Sequence, residues 1–281
     1  MDYQVSIVGG GISGALLALI LGKSGIKTCL VDRGKPSSKL TNPYTGRTAS
    51  LNLSSIESLR EAGIWQTLHE HSKEFEEIFV WDAEGSSSVQ FNANEISKDS
   101  LGVIIHNHVI LEAIFSFLEK IPDITLIEDQ SLKEIVQKQD EINLITDSGL
   151  NISSELLIGA DGSLSKVRDL SRIPIRTWSY EQSAIVSSVT TERPLNNTAF
   201  QIFTDTGPIA LLPISSRSNQ ASLIWSADES YGTKLLTLDD NSLMQELRLK
   251  TENRFGEISQ NEEIQSFPLH QLHAKSFYKN R

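Results

Sequence analysis

The first 33 residues alternate between apolar and polar segments in an order that predicts a strand, a helix and a second strand. An apolar run over Tyr3–Val8 predicts the first strand, and a glycine-rich turn follows it. The apolar helix predicted over Ile12–Lys23 stops at Gly25, and residues 27–31 predict the next strand. This order indicates a βαβ unit, in which the two strands are parallel.

The segment that follows changes character twice. Residues 34–50 are rich in Gly, Pro, Ser and Thr and predict a loop, after which residues 54–70 predict a helical stretch. The alternating segments EEIFVWDAEG and SSVQFNA, with a turn near Gly85, predict a hairpin. This hairpin is expected to belong to a different sheet from the βαβ unit.

The later pattern returns to the first sheet and then leaves it again. A helix is predicted from Asn107, followed by the strands ITLIED, SLKEIVQKQ, EINLITDSG and ELLIGADG. After Arg172, four closely spaced strand segments predict an antiparallel sheet, and residues 238–255 predict a closing helix. We therefore expect one α/β domain from residues 1–72 and 104–172, and a second domain from residues 73–103 and 173–281.

Charge and cysteine content limit the partners. The chain has 25 basic and 36 acidic residues, and this net charge of −11 opposes binding to nucleic acid and to anionic lipid surfaces. The single cysteine, Cys29, lies in the apolar run TCLVD, where we expect a buried strand residue in a reducing compartment. The glycine-rich N-terminus does not fit a signal peptide, and no apolar run is long enough to span a bilayer. A cytoplasmic protein is expected, with membrane-surface association left open.

The chemistry-bearing motif with the strongest support is the turn Gly9-x-Gly11-x-x-Gly14, which follows a strand and opens a helix. Gly9 permits the tight turn, Gly11 lets a pyrophosphate approach the helix N-terminus, and Gly14 allows close helix–strand packing. Asp32 ends the next strand, where a carboxylate accepts hydrogen bonds from a ribose. Together these positions predict dinucleotide binding.

Other conspicuous residues have simpler interpretations. His69 and His71 point to different sides of a helix, and His270 and His273 have no third ligand beside them, so we expect packing or surface histidines. Trp178 and Trp225 are predicted to be core residues rather than substrate platforms. The Asp161-Gly162 pair after a strand can be a turn or part of a cofactor site.

Further segments resemble those of the FAD-dependent aromatic-ring hydroxylases of ubiquinone biosynthesis. TGRTASLNLSS contains Arg47 at the position that reaches over the cofactor, and LGVIIHNHVILEAI contains Asn107 at a flavin-contacting position. LLIGADGSLSKVRDL matches the Asp-Gly motif at Asp161, and TGPIALLPIS resembles the substrate-domain segment. The cofactor-binding residues that the resemblance implies are Gly9, Gly11, Gly14, Asp32, Arg33, Arg47, Asn107 and Asp161.

The resemblance implies a p-hydroxybenzoate-hydroxylase-like fold: a Rossmann-like FAD-binding domain with a second, mostly antiparallel β-sheet substrate domain. The implied enzyme uses FAD, NAD(P)H and O₂ to hydroxylate the aromatic ring of a polyprenylated phenol. The protein would reach this apolar substrate by associating with a membrane surface or with a biosynthetic complex. The implied chemistry requires no acid–base constellation, and we assign no catalytic residue and no metal. Two alternatives stay open: a non-catalytic binding module, and a non-hydroxylating flavin oxidoreductase of the same fold.

The sequence departs from the family pattern at three places. Asp32 and His106 stand where the family usually has Glu. The last segment, FPLHQLHAKSFYKNR, resembles the lead into a second flavin motif, Gly-Asp, that this sequence does not contain. On that interpretation the fragment binds FAD weakly and lacks activity, and its uncovered apolar surface favours a homo-oligomer.

Overall fold

The computed structural model describes residues 2–34, 47–215 and 217–281. The first eleven strands are β1 (Tyr3–Val8), β2 (Thr28–Val31), β3 (Thr48–Asn52), β4 (Lys73–Phe75), β5 (Glu77–Asp82), β6 (Ser88–Asn92), β7 (Gly102–His106), β8 (Ile124–Ile127), β9 (Leu132–Gln137), β10 (Ile142–Thr146) and β11 (Asn151–Gly159). The later strands are β12 (Ile175–Thr191), β13 (Thr198–Thr204), β14 (Gly207–Pro213), β15 (Gln220–Asp228), β16 (Ile258–Gln260) and β17 (Gln265–Ala274). The helices are α1 (Ile12–Lys23), α2 (Leu53–Glu61), α3 (Trp65–His69), α4 (Asn107–Leu118), α5 (Lys166–Leu170), α6 (Glu229–Leu236) and α7 (Asp240–Lys250), with a 3-10 turn over Ala93–Ile96.

The βαβ unit lies at the centre of a six-stranded sheet with the order β8-β2-β1-β11-β10-β9. β1 is parallel to both β2 and β11, whereas β9 and β10 form an antiparallel edge. α1 and α4 pack on one face, where Ile7, Leu19 and Ile114 are fully buried. This sheet brings the ends of β1, β2 and β11 together, which positions the glycine turn.

The opposite face of the six-stranded sheet has its own apolar cluster, in which Val31, Leu144 and Val167 pack together. Cys29 is fully buried in this cluster. Burial raises the pKa of its thiol to about 12, because the thiolate would lose its hydration there. The prediction of a buried strand cysteine is confirmed.

A three-stranded sheet in the order β3-β7-β4 was not predicted. The expected loop over residues 34–50 is wrong at its end, since β3 already begins at Thr48; residues 35–46 lie outside the described part of the chain. The helix expected over residues 54–70 is two helices, α2 and α3, separated at Gly63, whose φ of +72° belongs to the left-handed region. The sequence did not predict β3, because this strand is short and its pairing partner, β7, lies far along the chain.

The second large sheet has eight strands, ordered β16-β12-β15-β14-β13-β5-β6, with β17 also paired to β12. The predicted hairpin β5–β6 joins it through a parallel pairing of β5 with β13, and the antiparallel strands after Arg172 are confirmed. The closing helix predicted over residues 238–255 is α7, which begins after its N-cap Asp239 and already ends at Lys250, and α6 was not predicted. Trp225 is fully buried as predicted. The prediction that Trp178 is a core residue is wrong, since this residue is 43% exposed.

The two large sheets meet at the three-stranded sheet. Phe75 and Ile104 pack with Ala199 of β13, and the Thr48 hydroxyl donates to the Ser222 hydroxyl of β15 at 3.2 Å. Both excursions of the chain into the eight-stranded sheet fall within residues 73–103 and 173–281. Because β4 and β7 belong to the connecting sheet, the division into two domains stays a prediction. Within the described residues, no helix is long and apolar enough to cross a membrane.

Candidate functional site

The glycine turn between β1 and α1 is packed so closely that side chains are excluded from two of its positions. A Cβ at Gly9, whose φ is +111°, would lie 2.3 Å from the carbonyl oxygen of Ala160. A Cβ at Gly14 would lie 2.0 Å from the carbonyl oxygen of Gly9. The backbone of Ala160, just after β11, and of Gly9 itself therefore leaves no room for a side chain at these two positions.

Gly11 differs from these two glycines, because a Cβ there would meet no atom of the described residues within 4 Å. It is the N-cap of α1, and no side chain caps the helix or places an acid in its first turn. The N-terminus of a twelve-residue helix thus faces open space with its N–H groups uncapped by side chains. This arrangement fits an anionic group such as a pyrophosphate.

Asp32 supports the turn from the end of β2. One carboxylate oxygen accepts the Gly10 N–H at 2.5 Å, and the other accepts the Gly34 N–H at 2.9 Å. The sequence predicted a ribose contact for Asp32 but gave no sign of these backbone contacts. The carboxylate therefore holds the glycine turn in shape, and its contact with a ribose stays a prediction.

Asp161 has a clear local role that the sequence left undecided. Its carboxylate accepts a hydrogen bond from the Ser165 hydroxyl, and also the N–H groups of Lys166 at 2.7 Å and Val167 at 3.2 Å. The Ser165 hydroxyl oxygen in turn accepts the Arg168 N–H at 3.0 Å. Asp161 thus shapes the start of α5, and a direct contact with the cofactor stays a prediction.

A cavity of about 500 Å³ opens beside the glycine turn. Five of the predicted site residues line it: Gly9, Gly11, Asp32, Arg33 and Asp161. Sequence reasoning missed Gln130, Ser131 and Lys166, which also line this cavity. Gln130 follows β8, and its N–H donates to the carbonyl oxygen of Asp32 at 3.0 Å. Gln130 reaches the cavity because β8 is parallel to β2, so the end of the predicted strand ITLIED could have indicated it. A larger open groove of about 630 Å³, around Trp65 and His69, lies away from this turn.

Arg47 and Asn107 form a second group, at the junction of the sheets. The Asn107 N–H donates to the carbonyl oxygen of Arg47 at 3.0 Å, and the Arg47 guanidinium lies 3.9 Å from the ring centre of Phe267. The side-chain oxygen of Asn107 is buried without a hydrogen-bond partner among the described residues. The structure therefore brings the predicted residues together as two groups, one at the glycine turn and one at the junction.

His106 stands beside this second group, where the family usually has Glu. Burial lowers the pKa of His106, and the neighbouring His108 lowers it further, while Glu262 acts in the opposite direction. The His106 and His108 ring centres are 5.4 Å apart. At neutral pH the junction therefore contains an uncharged His106 in place of an acid.

The comparison with protein families agrees with this geometry. Residues 2–281 match the model of the FAD binding domain family. The chain belongs to this FAD-binding family. Because a cavity with an open helix N-terminus and a glycine cradle fits FAD, the prediction of FAD as the cofactor is confirmed.

Several curated relatives in this family are hydroxylases of ubiquinone biosynthesis. The chain is 31% identical to ubiquinone hydroxylase UbiL of Rhodospirillum rubrum, over 90% of this chain and 58% of that protein. It is 29% identical to 3-demethoxyubiquinol 3-hydroxylase of Escherichia coli, over 98% of this chain and 70% of that protein. It is 30% identical to the human mitochondrial ubiquinone biosynthesis monooxygenase COQ6, over 86% of this chain and 54% of that protein. The predicted resemblance is confirmed, and the chain spans 54% to 70% of these relatives.

Solved structures confirm the predicted fold class. The p-nitrophenol 4-monooxygenase PnpA of Pseudomonas putida superposes with a TM-score of 0.77 at 16% identity, over 99% of this chain and 71% of that one. Pseudomonas aeruginosa PqsL, solved with 2-aminobenzoylacetate, gives a TM-score of 0.79 at 17% identity, over 95% of this chain and 73% of that one. The FAD-binding chain thus shares the architecture of flavin monooxygenases.

Proposed function

We propose that this chain provides the FAD site and the substrate-facing sheet of a monooxygenase that hydroxylates a phenolic precursor of ubiquinone, with NAD(P)H and O₂ as co-substrates. The observation that carries the proposal is the glycine cradle, which is closed by backbone at Gly9 and Gly14 but open at Gly11. The similarity to UbiL, 3-demethoxyubiquinol 3-hydroxylase and COQ6 supports the choice of reaction and substrate.

Different residues of the described chain hold different parts of FAD. The uncapped helix N-terminus at Gly11 takes the pyrophosphate, Asp32 keeps the turn in shape, and Arg33 adds positive charge at the cavity wall. Arg47 and Asn107 stand at the sheet junction, where they contact the flavin end of the cofactor. FAD when bound supplies the oxygen-activating chemistry, so the chain's own task is to orient the ring and exclude water.

The sheet face toward the junction suits an apolar substrate. The strand registers place Val186, Ile224 and Ala210 side by side in one row, two residues along the strands from Ser222, the partner of Thr48. Farther from the junction the same face exposes Phe203 and Val89 at 49% and 54% of their surface. We infer that this face receives the aromatic ring and part of a polyprenyl chain, since apolar area removed from water stabilises binding.

Three measurements on the protein test the proposed function. A bound-flavin absorbance spectrum is expected, together with NAD(P)H oxidation that a polyprenyl phenol stimulates, and a product heavier by one oxygen atom. A protein that binds no flavin would support the binding-module alternative. Bound flavin with reduction of an isoprenoid double bond and no ring hydroxylation would support the non-hydroxylating oxidoreductase.

A further inference from the structure

Arg47 has its backbone in one part of the fold and its side chain against another. Its carbonyl oxygen accepts the Asn107 N–H at 3.0 Å, which fixes the residue at the start of β3 and the N-terminus of α4. The guanidinium carbon lies 3.9 Å from the ring centre of Phe267, which belongs to β17 of the eight-stranded sheet. The side chain therefore spans the junction between the sheets.

Phe267 is on the inner side of its strand. Along β17, exposed residues alternate with partly buried ones, so that Ser266 and Pro268 are exposed while Phe267 is half-buried. Pairing with β12 places Phe267 opposite Ala184. The position of Phe267 is thus set by the eight-stranded sheet and not by the segment that contains Arg47.

A guanidinium stacked on an aromatic face keeps its N–H groups in its own plane, directed sideways and available as donors. Within residues 2–34, 47–215 and 217–281, no carboxylate forms an ion pair with Arg47. Phe267 restricts the rotamers of the arginine without using its hydrogen bonds. The guanidinium therefore lies over the Phe267 ring at the junction, and its N–H groups make no ion pair with a carboxylate of the described residues.

Other cation–ring contacts of the described residues stay within one part of the fold. Arg254 lies 4.3 Å from Trp81 on the eight-stranded sheet, and Lys23 lies 5.2 Å from Phe117 between α1 and α4. The Arg47–Phe267 contact joins the two parts and is shorter than either. This placement distinguishes it from a contact that only stabilises one sheet.

We propose that Phe267 is a positioning residue for Arg47, holding its guanidinium in place to donate hydrogen bonds to the flavin end of FAD and thereby coupling strand β17 to FAD binding. The inference rests on the proposed function, because it assumes that FAD occupies the junction. Phe267 itself contacts neither FAD nor substrate in this role. It acts through the arginine.

The test is a double-mutant cycle on the dissociation constant for FAD, measured by quenching of flavin fluorescence. Phe267→Leu is expected to weaken FAD binding about two- to fivefold, the range of an exposed cation–ring contact. Phe267→Trp should retain wild-type affinity, and Phe277→Leu, at an exposed phenylalanine just beyond β17, is the matched control. On an Arg47→Ala background, Phe267→Leu should have no further effect. A full additional loss on that background would overturn the inference.

A second measurement does not depend on FAD. In the flavin-free protein, the side-chain Nε–Hε NMR signal of Arg47, assigned by its absence in Arg47→Lys, is expected to be shifted upfield by the Phe267 ring. Phe267→Leu should abolish this shift, and Phe267→Trp should retain it. An unchanged signal in Phe267→Leu would overturn the inference even if FAD binds, whereas a normal stack in a protein that binds no FAD would contradict the proposed function instead.

Discussion

In the proposed function the glycine turn and the sheet junction both hold one cofactor, but they are built in different ways. At the turn, the contacts are made by backbone atoms of Gly9, Gly14 and Ala160, close to one strand–helix connection. At the junction, Arg47 and Phe267 come from distant parts of the chain and meet through their side chains. The comparison teaches that the turn, the proposed phosphate end of the site, is built locally, whereas the junction, the proposed flavin end, depends on how the sheets pack together.

Gly14→Ala should have the largest effect, because it acts on backbone that cannot move aside. The new methyl group would lie 2.0 Å from the Gly9 carbonyl oxygen, and it would also press on the Ala160 side chain at 3.0 Å. We expect the free energy of unfolding to fall by about 3 kcal/mol, as for overpacked cores, with loss of FAD binding. Urea unfolding measures this, and unchanged stability would show that the turn is not closed by backbone.

Asp32→Ala should weaken FAD binding by about 1 to 3 kcal/mol, the range for hydrogen bonds to a charged group. The reason is the loss of the acceptor for the Gly10 and Gly34 N–H groups, which leaves the turn free to change shape. Asp32→Asn, which keeps an acceptor oxygen, should have a smaller effect. Isothermal titration with FAD measures both, and equal affinities for the two variants and the wild type would remove Asp32 from the site.

Gly11→Ala separates ligand binding from folding at the same turn. Since its Cβ would meet no atom of the described part of the chain within 4 Å, we expect the free energy of unfolding to change by less than about 1 kcal/mol. The methyl group would occupy space that the pyrophosphate needs, so FAD affinity should fall about tenfold, which is 1.4 kcal/mol. Unchanged affinity by flavin titration would place the pyrophosphate elsewhere.

His106→Gln should give the smallest effect, and it tests the junction. Burial first, and then His108, lower the pKa of His106 below its ordinary 6.5, so the unfolded chain binds a proton more readily than the folded one. The contribution of His106 to stability is therefore fully present above pH 6.5 and is lost as the pH falls toward the lowered folded pKa. In His106→Gln, the free energy of unfolding should therefore fall less as the pH is lowered than it does in the wild type. Urea unfolding between about pH 5 and pH 7.5 measures this difference. His71→Gln, at an exposed histidine, is the control and should show the same pH dependence of stability as the wild type. An equal pH dependence for the wild type and His106→Gln would contradict the prediction.

Local patterns predicted much of the fold. The bounds of β1 and α1 agree with their predicted ranges, because a strand, a glycine turn and an apolar helix each have a short-range signal. The division of one helix into α2 and α3 was missed although Gly63 marks it, since a single glycine does not always end a helix. Trp178 shows the opposite limit: an apolar residue type predicts burial, but its place on β12 leaves it exposed.

By itself, the sequence determined the glycine turn, the acid at the end of β2 and the family to which the chain belongs. These features depend on residues near one another, and spacing along a strand or helix fixes which way they face. Only the tertiary structure decided that Asp32 and Asp161 hold backbone in place, that β3, β4 and β7 form a connecting sheet, and that Arg47 meets Phe267. The physical reason is that strand pairing and side-chain stacking join segments whose separation along the chain carries no local signal.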